Sequence, residues 1–110
     1  MIIDFNNIEE NIIHQFKDGE GDTITRMFND GKNKIMRSQL NVGCSIGYHT
    51  HETSSETIFI LSGEALFSYD GKEEIVHAGQ CHYCPKGLAH GMKNNSQSEP
   101  VVFFAVVPEQ

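Results

Sequence analysis

The chain reads as an all-β single domain, and three observations predict it. Short runs of β-branched and aromatic residues recur at roughly 8–12-residue spacing. Glycine, proline and Asp-Gly breaks separate those runs. The length, 110 residues, leaves room for one domain and one core. Strands of this kind with turn signals between them predict a sandwich or barrel.

The N-terminal stretch, residues 4–16, predicts a short helix or turn. Ile8, Ile12 and Ile13 fall at helix-compatible spacing, and Asn6 or Asn7 is placed to cap. Residues 17–22 form a loop by composition. Strands are then predicted over residues 23–29 and 34–41, with Asp30-Gly31-Lys32-Asn33 as the turn between them. Further strands are predicted over residues 45–50, 57–61, 64–69, 73–77, 80–84, 91–95 and 101–107. Asp70-Gly71 is a two-residue hairpin signal. Gly43, Gly63, Gly79 and Pro85-Lys86-Gly87 break the others. The runs 58–61 and 101–107 are apolar on both faces, so their outer face needs cover, from the N-terminal segment or from a second subunit.

Eight basic residues against fifteen acidic ones give a net charge of −7. That sign disfavours nucleic acid and anionic membranes as partners. No apolar run reaches the ~18–20 residues of a membrane span. Residues 1–4 lack the basic start and apolar stretch of a signal peptide, so a cytoplasmic location is expected. Three cysteines, Cys44, Cys81 and Cys84, fit a reducing compartment better than a disulfide framework.

The chemistry concentrates in the segment 43–56. Side chains i and i+2 of a strand share a face, so His49 and His51 point the same way. Four polar residues then lead to a strand beginning near Glu56, and a hairpin there returns Glu56 beside the two imidazoles. Two imidazoles and a carboxylate with open positions opposite suit a first-row transition metal. His90, after the rigid turn Pro85 to Ala89, is a fourth candidate ligand. A lone His-x-His on a strand usually binds nothing; the glycines flanking this one change that reading.

The spacing resembles the cupin family. The first cupin motif corresponds to Gly43, His49, His51, Glu56 and Gly63, and the second to Gly79, Pro85, Gly87, His90 and Asn94. Chance agreement with even one motif is on the order of 1 in 10,000. The resemblance, carried by residues 43–94, implies a double-stranded β-helix, or jelly-roll, barrel, which the short N-terminal helix or turn read from residues 4–16 precedes. It implies one cupin domain over residues 1–110, with motif 1 at 43–63 and motif 2 at 79–94. It also implies one divalent transition metal per subunit, iron, manganese, nickel, zinc or copper, on His49, His51, Glu56 and His90. The motif glycines and Asn94 are expected to be structural. Gln80 replaces the Asp many relatives carry, which affects a turn contact.

Other residues are weighed for substrate contact. His82 is a candidate either to support a ligand or to touch substrate. Arg26 and Arg37, the only arginines, would grip a carboxylate if they faced inward. Tyr48 and Phe104 are candidate pocket walls. Cys81 and Cys84 face opposite sides of one strand, so a disulfide or shared metal is not expected, and parity puts either Cys81 with Tyr83 or His82 with Cys84 on the inner face. Cys44 is expected opposite His49 unless a bulge intervenes. The expected function is a small-molecule metalloenzyme, dioxygenase-like first and a decarboxylase or isomerase second. The alternative is a non-catalytic ligand-binding or sensor module. A homodimer is expected.

Overall fold

The computed structural model describes residues 1–110. Ten strands run β1 (Asn11–His14), β2 (Asp22–Asn29), β3 (Asn33–Leu40), β4 (Ser45–Thr50), β5 (Glu56–Ser62), β6 (Glu64–Tyr69), β7 (Lys72–His77), β8 (Cys81–Cys84), β9 (Ala89–Asn94) and β10 (Val101–Pro108). They form two antiparallel sheets. One has six strands in the order β1-β2-β3-β10-β5-β8, the other four in the order β4-β9-β6-β7. This is the jelly-roll architecture expected, with all strands antiparallel and the apolar faces turned towards each other.

Alternation places Leu40, Ile58, Ile60, Ala65, Phe67, Val76, Met92, Val101, Phe103 and Ala105 in one buried core. Phe59, Val102, Phe104 and Val106 occupy the alternate positions, on the outer face of the six-stranded sheet. Asp70 and Gly71 both have positive φ (52° and 71°), the requirement of the tight β6–β7 hairpin. Gly43, Gly63, Gly79 and Gly87 all lie at φ between 83° and 90°. Gly63 is also hemmed in, since a Cβ there would meet the Pro100 carbonyl oxygen at 2.4 Å. Asn94 is structural: its Nδ2 donates to the carbonyls of Leu40 (3.1 Å) and Glu99 (2.8 Å). Gln80 closes the turn before β8, its Oε1 accepting from the His77 N–H at 2.9 Å.

The N-terminal stretch differs in part from expectation. Residues Phe5–Asn7 form a 3-10 turn capped by the Asp4 side chain, not by an asparagine. Residues 11–14 form an edge strand paired with β2, Ile12 opposite Ile24. Ile8 and Ile12 sit at helical spacing, but the β-branched pair Ile12-Ile13 also suits a strand, and the segment pairs with the edge of β2.

Candidate metal centre

His49 and His51 come from β4, His90 from β9 directly opposite His49, and Glu56 from the start of β5. A bulge in β4 makes this possible. Between the pairs Ile46–Met92 and His49–His90, β4 advances three residues while β9 advances two. Ile46 and His49 therefore face inward together. The same bulge corrects the expectation for Cys44, which lies on the inner face and packs against the core.

The donor atoms converge. His51 Nε2 lies 3.2 Å from His49 Nε2 and 3.0 Å from His90 Nε2. Glu56 Oε1 lies 3.1 Å from His51 Nε2 and 3.0 Å from His90 Nε2. All four ligand atoms fall within 4.8 Å of one another. Burial alone would raise the Glu56 carboxyl. Hydrogen bonds and charge from His51 and His90 outweigh it and hold that carboxyl at about 2, so it is a carboxylate. Burial pushes His49 down, towards neutral imidazole.

Each imidazole is held by its other nitrogen. His49 Nδ1 lies 2.7 Å from the Gly47 carbonyl, which can only accept, so Nδ1 carries the proton and Nε2 presents its lone pair. His51 Nδ1 lies 3.0 Å from Ser54 Oγ. His90 Nδ1 lies 2.9 Å from His82 Nε2, and His82 Nδ1 lies 2.6 Å from Glu74 Oε1. The Glu74 carboxylate accepts, so His82 Nδ1 donates. Burial pushes His82 down and favours its neutral form, so His82 Nε2 accepts from His90 Nδ1–H. His90 Nε2 is then the nitrogen aimed at the cluster, beside Glu56 Oε1. Three imidazoles, each held at its outward nitrogen, plus one carboxylate are the donor set a divalent transition ion takes, and the residues fit that group.

The cluster opens into a cavity of about 470 Å³ between the sheets. Thr25 and Ser38 lie on its far wall and bond each other at 2.8 Å.

The five residues weighed for substrate contact fare differently. His82 is fully buried and stacks on Phe67 at 4.0 Å between centroids, behind His90 and outside the cavity. It bonds His90 and does not line the cavity. Burial of His82 and Cys84 also settles which face of β8 turns inward. Arg26 is corrected: it lies on the outer face, its Nη1 donating to the Ile8 carbonyl at 2.7 Å, and it pins the N-terminal segment. Arg37 is corrected too: opposite Arg26 in register and exposed, it cannot reach the cavity. Tyr48 falls in the β4 bulge and points to solvent, 63 % exposed. Phe104 faces outward and packs on Phe5 with centroids 6.1 Å apart. Parity along β10 excludes it from the cavity once Phe103 is inward. Sequence reasoning missed Glu74 and Ser54, whose roles depend on pairing partners that no local pattern records.

A family model described as cupin domain matches residues 36–107. Among curated proteins, the chain is similar to the oxalate-binding protein of Thermotoga maritima, 34% identical over 71 residues. That match takes in 64% of this chain and 58% of the relative's length. Among solved structures, a predicted oxalate decarboxylase of Thermotoga maritima superposes over 100% of both chains, with TM-score 0.91 and 26% identity. An RmlC-like cupin from Shewanella frigidimarina shares the fold at TM-score 0.78 and 14% identity, covering 96% of this chain and 86% of that one.

Proposed function

The chain belongs to the cupin family, and on that premise we propose that it binds a small carboxylate through one protein-held divalent transition-metal ion. His49, His51, Glu56 and His90 would hold the ion. One observation carries the reading: four donor atoms within 4.8 Å of one another open into a cavity large enough for a small molecule. The ion, when bound, supplies the positive charge and Lewis acidity that hold an oxygen anion. The chain's own residues do the rest. Gly47, Ser54 and His82 orient the three imidazoles. Neither arginine reaches the cavity, so no guanidinium competes with the ion for the carboxylate. The name of the Thermotoga oxalate-binding relative supports the carboxylate as ligand class.

The test is metal analysis of untagged protein followed by calorimetry with oxalate, before and after stripping with a chelator. About one ion per chain and binding only in the loaded form are expected. Full metal content in a His49→Ala/His51→Ala double variant, or oxalate binding indifferent to stripping, would overturn the reading.

The donor set supports a second reading. Three imidazoles and one carboxylate leave an octahedral ion two positions, which suits an oxidoreductase of dioxygenase type or, next, a decarboxylase or isomerase. Oxygen uptake by the iron-loaded protein with diketones, flavonols and short acids separates enzyme from binder.

A further inference from the structure

We propose that the preferred ligand is a monocarboxylate with a chelating 2-oxo or 2-hydroxy group and an aliphatic body of several carbons. Oxalate, which is little more than two joined carboxylates, is then a minimal ligand. This rests on the metal-held carboxylate reading above and names the part of the ligand the metal does not touch.

Register carries the argument. Met27 pairs with Met36, Met36 with Ala105, and Ala105 with Ile58. These residues form one row across the six-stranded sheet. Ile58 is two residues from Glu56 on the same face of β5, so the row lies one step inward from that carboxylate. On the facing sheet, Ile46 pairs with Met92, two residues from His90 and on its face of β9. Met27, Met36, Ile46, Ile58 and Met92 all line the cavity. An apolar sleeve of three thioethers and two isoleucines therefore begins one residue row from the donors.

The next row offers little to a charged tail. Ser38 Oγ donates to Thr25 Oγ1 at 2.8 Å, so the pair keeps a single O–H to offer. Thr23 Oγ1, one row deeper, is buried without a partner, but neutral hydroxyls do not offset a buried carboxylate. The lysines bordering the cavity, Lys17 and Lys34, are exposed. A second carboxylate in the sleeve would lose hydration without gaining a charged partner. Methylenes there leave water for flexible, polarisable methionine walls.

The experiment is calorimetric titration of the manganese-loaded protein with oxalate, pyruvate, 2-oxohexanoate and 2-oxoglutarate. 2-Oxohexanoate is expected to bind at least ~10-fold tighter than pyruvate, given the gain per buried methylene. It should also bind more tightly than 2-oxoglutarate, whose tail is charged. Met27→Gln and Met36→Gln, made separately, should each cut the 2-oxohexanoate-to-pyruvate ratio several-fold. Equal affinity for the two acids, or preference for 2-oxoglutarate, would overturn the aliphatic tail and leave the metal-held carboxylate standing. Failure of all four acids to bind the manganese-loaded protein would overturn the carboxylate reading itself, and this inference with it.

Discussion

At the scale of single residues, the cluster depends on groups that never reach its centre. His90 has its outward nitrogen on His82, and His82 is anchored by Glu74 at 2.6 Å. Without that chain, His90 can turn over or present its N–H to the ion. His82→Gln and Glu74→Gln should each lower metal affinity roughly 10–100-fold, measured by competition against a chromophoric chelator. Unchanged affinity with a native circular dichroism spectrum would show that His82 is only packing. The cysteines make a second test. Cys84 is buried at the end of β8, and burial lifts its thiol from 9.0 to about 11. Its Sγ donates to the Leu88 carbonyl at 3.5 Å. In the unfolded chain that proton leaves near the ordinary value, whereas the fold keeps it to about 11. Whatever stability Cys84 confers is therefore whole below pH 9 and falls as pH rises towards 11. At pH 8, iodoacetamide should label exposed Cys81 and spare Cys84, read by peptide mass; equal labelling would contradict the buried position. The four cluster residues were legible in the sequence because each sits at a fixed offset from turn glycines. Arg26, Arg37, Tyr48 and Phe104 were not, since the facing of a strand residue depends on absolute register, and a single bulge reverses it.

At the scale of elements, β4 is where sequence pattern and structure part and where the site is made. The bulge after Ile46 leaves Gly47 facing the turn at Phe16–Asp18. A Cβ on Gly47 would stand 1.8 Å from the Lys17 carbonyl oxygen, a backbone atom with no rotamer to give. Gln15, Lys17 and Asp18 already hold positive φ in that turn, so it has little freedom left to retreat. Gly47→Ala should destabilise the metal-free protein by about 3 kcal/mol, read from its denaturant midpoint. It should also weaken metal binding, because the Gly47 carbonyl orients His49. An unchanged midpoint would mean that the turn is not docked against β4. The strands themselves were legible within a residue or two, because alternation and Gly or Pro punctuation act over short distances. The N-terminal segment was not: Ile12 and Ile13 join β2 through pairing with Thr23 and Ile24, a contact no local pattern encodes.

At the scale of the whole molecule, the outer face of the six-stranded sheet bears on assembly. Phe59, Val102, Phe104 and Val106 face outward there, beside exposed Leu61 and Tyr83. The N-terminal segment covers part of this face, with Phe5 on Phe104 and the Ile8 carbonyl on Arg26. It does not cover Leu61 or Tyr83, which are 42% and 53% exposed. Aromatic and aliphatic side chains together on one sheet face suit a two-fold contact, in which the same patch serves both copies. The chain is therefore expected to run as a homodimer by light scattering at micromolar concentration. Phe59→Lys places a charge at the middle of the patch without touching the inner face, which Ile58 and Ile60 fill. That variant should shift the mass to the monomer while keeping the metal, because the donors lie between the sheets. A monomeric mass for the unaltered chain would remove the dimer. A dimeric mass for Phe59→Lys would move the contact to another face, with exposed Ile75 on β7 the next place to put the charge.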